Sequence, residues 1–154
     1  MTIQTKLFGN ILVDEDKRIY FENGIIGFPD LKNFLIIFDE EKKDNARISW
    51  LQSVEEPGFA IPVINPLLAD GKYNPTVNDE LLKPLGELDS DEMLVLVTLT
   101  IPAKIEEMSV NLKAPIIINA ITRKACQIVV ENEEYLVKHP VYEVFKSKQE
   151  KAGE

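Results

Sequence analysis

The side chains able to do chemistry are few: one histidine, His139, one cysteine, Cys126, and scattered carboxylates. Acid–base catalysis by an imidazole would fall to His139, which stands directly before Pro140 where the pattern places the mouth of a tail helix. A solvent-facing residue at a helix entrance is the ordinary reading there. Cys126 lies in Ala125-Cys126-Gln127-Ile128-Val129 with no base beside it, and reads as a small buried hydrophobe. A zinc site would have to lean on carboxylates, and no ligand spacing supports one. Asp14-Glu15-Asp16 starts like a calcium loop, but Ile19 stands where that loop needs glycine and Ile25 where it needs a bidentate glutamate. Asp89-Ser90-Asp91-Glu92 fails too, because Met93 occupies the next ligand position. Glu55-Glu56 and Glu106-Glu107 are adjacent pairs, and neighbours on a strand point to opposite faces. Gly24-Ile25-Ile26-Gly27 has the wrong spacing for a phosphate or dinucleotide loop. No catalytic residue, metal or cofactor is expected, and an enzyme is disfavoured.

Three stretches point towards binding instead. They are Phe21–Pro29, Trp50–Pro57 and Asn111–Asn119, each an apolar run interrupted by Gly, Pro or Asn. In the first, two glycines can take positive φ and let the backbone bend sharply while Ile25, Ile26 and Phe28 stay anchored. That loop reads either as a tight connection filling one end of a barrel or as a rigid aliphatic loop offered to a partner. In the second, Gln52 and Ser53 lead into a turn at Glu55-Glu56-Pro57-Gly58, and the chain resumes at Phe59-Ala60-Ile61-Pro62-Val63-Ile64-Asn65. Pro62 donates no hydrogen bond to a ladder, which predicts an edge or a bulge there. An edge is where another chain can add. Pro115 interrupts the third stretch in the same way.

The elements that must position these stretches are mostly strands. Ile19 with Phe21, then 34–38, 48–54, 59–64, 94–101, 109–112 continuing across Pro115 to Ile118, and 120–130 are β-branched or aromatic runs between turn residues. The run 94–99 is apolar on both faces, which predicts a strand covered on both sides. Two helices are expected. One opens at Thr76 with Asp79 three places on and ends at Pro84 and Gly86. The other runs over 140–151 with Pro140 at its first position and Val141, Val144, Phe145 and Lys148 on one side. No series of helices alternates with the strands, so a doubly wound parallel sheet is not expected. The fold class is mainly β: a small antiparallel barrel, closed or nearly closed, with one or two short helices.

At 154 residues the chain suits one domain, expected over 1–150 with 151–154 a disordered tail. The hydrophobic fraction of 45% and charged fraction of 28% are those of a soluble globular protein. The longest apolar run, 93–101, is too short for a membrane helix. No charged region leads into an apolar core at Met1–Lys6, so neither membrane insertion nor secretion is expected. One cysteine excludes an internal disulfide and fits a cytoplasmic protein. Net charge is −9, from 17 basic against 26 acidic residues. That balance works against direct nucleic-acid binding and suits either solubility or a basic protein partner.

In order and spacing the three stretches resemble the FliW family of flagellar assembly factors. The family pattern is an aromatic-xx-Gly-Ile-x-Gly-Phe segment, a Leu-Gln-Ser-Val turn leading to an Asn/Asp-Pro pair, and an Asn-Leu-x-Ala-Pro-Ile-x-Ile-Asn strand. Here these are Phe21–Phe28, Leu51–Pro66 and Asn111–Asn119. The resemblance covers most of the chain. It implies a small cytoplasmic β-barrel protein that binds the translational regulator CsrA, an RNA-binding dimer that represses flagellin mRNA, and that also binds flagellin itself. Export of flagellin would free the factor to sequester the regulator, acting away from its RNA-contacting surface. The contact residues expected on this reading are Ile25, Ile26, Phe28, Gln52, Ser53, Glu55, Glu56, Phe59, Ile61 and Asn65. Two other expectations stand beside it: a flagellin-dedicated chaperone without a role in RNA regulation, and a barrel that holds a small ligand inside.

Overall fold

The computed structural model describes residues 2–38, 48–86 and 92–144. The chain opens with a hairpin, β1 (Thr2–Thr5) and β2 (Gly9–Leu12), which forms its own two-stranded sheet. Then come β3 (Ile19–Phe21), β4 (Asn33–Phe38), β5 (Ser49–Ser53), β6 (Ala60–Ile64) and β7 (Met93–Thr100). The last four are β8 (Ser109–Val110), β9 (Ile116–Asn119), β10 (Lys124–Gln127) and β11 (His139–Pro140).

Antiparallel pairing runs without a break from β3 through β4, β5 and β6 to β7, then on to β9 and β10. β10 then pairs in parallel with β3, Ala125 opposite Phe21, and closes a seven-stranded barrel. β8 and β11 extend β7 beyond the ring. The interior is filled by Ile19, Phe21, Phe34, Leu51, Val63, Leu96, Ile116, Ile118 and Ala125, all buried. Each large member stabilises the fold by about 1.5–3 kcal/mol through the apolar surface it removes from water. An interior packed with side chains rules out the small ligand held inside the ring.

Both faces of several strands are covered, which is why the run through β7 is apolar throughout. Leu96 belongs to the interior, while Val97 and Leu99 pack outwards with Ile64, Tyr73, Met108, Val110, Leu112 and Val141. Ile116 and Ile118 point inwards from β9, and Ile117 packs outwards with Leu85 and Ile128.

Several expectations need correcting. The stretch 109–118 is two strands, because the Asn111 Oδ1 accepts from the backbone N–H groups of Lys113 (3.1 Å) and Ala114 (3.0 Å) and turns the chain between them. In 120–130 only β10 is extended; Asn119 Oδ1 accepts from Ile121 N at 2.9 Å and holds a turn first. The helix expected from Thr76 is a 3₁₀ turn over Asp79–Leu85, capped by Asn78, whose side chain accepts from Glu80 N at 3.0 Å. Pro140 sits in β11 opposite Ser109 rather than at the first position of a helix, and residues 142–144, the last described, are helical. Phe145, Lys148, the expected tail at 151–154 and most of the Asp89–Glu92 turn lie outside the described residues. β6 is not an edge: β5 flanks it on one side, and β7 pairs with Val63 and Ile64 on the other. Pro62, opposite Trp50, comes just before that pairing begins.

Candidate partner-binding surface

The loop 24–29 is built by its glycines. Gly24 has φ +68°, and an added Cβ would meet the carbonyl oxygens of Phe28 and Pro29 at 2.5 and 2.6 Å. No other residue fits without moving backbone. Beyond it, Ile25 N donates to Phe28 O (3.3 Å) and Phe28 N to Ile25 O (2.8 Å), leaving Ile26 and Gly27 as a two-residue turn. Gly27 supplies the positive φ, +89°, that the turn needs. Ile25 is buried in the barrel interior as the anchor, whereas Ile26 at the tip is 54% exposed. Ile26 N donates to Gln127 Oε1 (2.8 Å), and Gln127 Nε2 donates to Ala114 O (3.0 Å). One side chain therefore ties the first stretch to the third.

The second stretch is fixed from within. Gln52 is fully buried, and the two hydrogens of its Nε2 are shared among the carbonyl oxygens of Ser53 (3.0 Å), Pro57 (3.0 Å) and Phe59 (3.1 Å). Among the described residues its Oε1 is buried without a hydrogen-bond partner. Ser53 Oγ, also buried, accepts from Glu56 N at 3.0 Å. The Glu55 carboxylate reaches across to β4 and accepts from Asn33 N (2.9 Å), Asn33 Nδ2 (2.7 Å) and Lys32 N (3.2 Å). Partial burial is the largest single influence on its pKa and acts upwards. The hydrogen bonds, led by the Asn33 side chain, together outweigh it and hold the carboxyl below the usual range. Glu56, exposed, turns back on Gly58 N at 3.4 Å.

The two stretches meet through aromatic rings. Phe28 packs on Phe59 with centroids 4.7 Å apart; Phe59 reaches Phe34 at 6.4 Å, and Phe34 reaches Phe21 at 5.3 Å. Core rings thus back a surface ledge of Ile26, Phe28 and half-buried Phe59, with Glu55 and Glu56 on the turn that leads into Phe59. A ledge so braced presents apolar area at a reduced ordering cost on binding, and its two carboxylates favour a cationic partner.

The other expected contact residues do not join it. Ile25, Gln52 and Ser53 are buried in this structure, beneath the ledge rather than on its surface. Ile61 is half-buried and packs against the interior, opposite Leu51. Asn65 is exposed, but it lies beyond the far end of β6 from Phe59, roughly 17 Å along a five-residue strand. There it caps the 3₁₀ turn Pro66–Leu68 by accepting from Leu67 N at 2.9 Å.

Sequence reasoning missed Gln127, Asn33 and the β1–β2 hairpin. The hairpin touches the second stretch through Lys6 N to Pro57 O (3.2 Å) and Phe8 on Trp50 (5.9 Å). Its alternation Ile3, Thr5 and Gly9, Ile11 was the available signal. His139 is half-buried in β11 opposite Val110, not at a helix entrance, and Glu106 and Glu107 lie in a 3₁₀ turn rather than on a strand. Cys126 is only half-buried; burial nevertheless pushes its thiol up to about 11.

The family model described as FliW protein matches residues 2–141. A protein from Lachnoclostridium phytofermentans named flagellar assembly factor FliW is 45% identical over 98% of this chain and 97% of its own length. Its namesake from Caldanaerobacter subterraneus is 46% identical over 96% and 97%. A solved structure, the crystal structure of the flagellar assembly factor FliW, superposes with a TM-score of 0.82 at 30% identity, covering 92% of this chain and 96% of that one.

Proposed function

The chain belongs to the FliW family, and from that premise we propose that it is a flagellar assembly factor acting in the cytoplasm, a protein-binding regulator rather than an enzyme. Its partners on this reading are the translational regulator CsrA, whose repression of flagellin mRNA it antagonises, and flagellin. The observation that carries the proposal is identity of 45% with a flagellar assembly factor along nearly the whole of both chains. The ledge supports it independently, because Phe28 packs on Phe59 against the core, the Ile26 backbone is tied to Gln127, and two carboxylates lie on the turn leading into Phe59. An RNA-binding repressor carries a basic surface, and a chain of net charge −9 is steered towards one.

Calorimetric titration of the purified protein with the regulator and with flagellin, each at low and moderate salt, tests this. Saturable binding to both is expected, with the regulator arm weakening as salt rises. Binding to flagellin alone would replace the proposal with a dedicated flagellin chaperone. Binding to neither would remove it.

A further inference from the structure

On the outside of the ring lies a groove of about 560 Å³ that shares no residue with the ledge. One side is formed by β7 and β9, through Met93, Val95 and Ile117; the other is the segment 65–82, through Leu67, Val77 and Leu82. Leu67 is 54% exposed and Met93 37%, so the apolar lining is open to water. Pro66, Pro75 and Pro115 also line it and bring no N–H donor.

Several polar groups around the groove are tied into the protein itself. Asn65 Oδ1 accepts from Leu67 N, Tyr73 O–H donates to Leu112 O (2.7 Å), and Asn74 N donates to Tyr135 Oη (2.8 Å). Small-molecule sites pair an apolar lining with a few polar groups aimed at the ligand. This groove offers one charged side chain, Asp79, and no cation.

We propose that the groove takes the apolar face of an amphipathic helix from a partner protein, with a lysine or arginine beside that face meeting Asp79. Helix-in-groove recognition needs apolar anchors at i, i+3 or i+4 and i+7, and an apolar trough between a strand floor and a loop wall accepts such a row. The sign of the charge agrees, since the chain as a whole is at −9. A second copy of this chain is a poor occupant. Two chains at −9 repel.

The probe is a fluorescein-labelled synthetic helix of about 14 residues, four turns, with leucines at i, i+4 and i+7 and lysines beside them. Its anisotropy is followed against the full chain. Saturable binding is expected, with a scrambled peptide of the same composition and a glutamate-for-lysine peptide both weaker. Leu67→Glu should weaken binding about tenfold or more, and Asp79→Asn about threefold in a salt-dependent way. Because Leu67 is exposed, Leu67→Glu should melt like the parent; Leu67→Ala serves in its place if it does not. Equal binding of the scrambled peptide, no saturation, indifference to the Leu67 variants, or sedimentation as a dimer that those variants abolish would each overturn the proposal. Neither the regulator nor flagellin is present, so failure here leaves the ledge reading standing, and failure of the ledge reading leaves this result untouched.

Discussion

Gly24 and Gly27 share a positive φ, +68° and +89°, and differ in what surrounds them. A Cβ on Gly27 meets nothing within 4 Å, so Gly27→Ala should cost only the left-handed strain of roughly 1–2 kcal/mol. Gly24→Ala adds a clash with two carbonyl oxygens and should cost distinctly more, about 3 kcal/mol, in urea denaturation. Equal costs would refute the close approach. Glu55 gives a pH dependence. Its folded-state pKa is lowered, so it adds stability above the unfolded-state value and loses it as pH falls through the folded one. The stability lead of the parent over Glu55→Gln, measured by denaturation, should therefore be full at neutral pH and shrink below the usual carboxylate range. A lead independent of pH would remove the charged bond to Asn33. Cys126, with its thiol pushed up to about 11, should react with a disulfide reagent at pH 8 at least about tenfold more slowly than a free thiol. The glycines were legible as bend points from spacing alone. The roles of Gln52 and Ser53 were not, since a polar residue in an apolar run looks the same whether it faces water or satisfies the turn it starts.

At the scale of elements, the β1–β2 hairpin contrasts with the barrel. Two strands alone are marginally stable in water, and this pair adds only an N–H to Pro57 and one ring contact with Trp50 among its described ties to β5 and the following turn. Its amides should exchange with deuterium well before those of β4, β5 and β6, which are flanked on both sides. Protection equal to that of β5 would mean the hairpin is integral to the barrel. Most ring strands were readable because burial on both faces leaves continuous β-branched runs. The breaks were not readable: Asn111 and Asn119 end strands by bonding backbone N–H groups two residues on, and nothing in an apolar pattern marks which asparagine will do so. The helix at 76–82 was misjudged for a related reason. Asn78 caps it two residues later than Thr76, and Pro84 is tolerated inside a 3₁₀ turn that an α-helix would have had to stop before.

For the whole molecule, ring closure decides what is outside. Sequence spacing indicated a barrel, but the pairing of β10 with β3 in parallel joins residues a hundred positions apart and brings Gln127 against the loop at Ile26. That closure turns three separated stretches into one braced ledge and divides the expected contact residues into those that shape it and those that face solvent. The most direct measurement is the affinity of the CsrA-type regulator for the parent and for Ile26→Asp, whose exposed site should leave the melting temperature nearly unchanged. Binding about tenfold or more weaker for the variant is the predicted result. Equal affinity for the two proteins would contradict the ledge as the partner-binding surface.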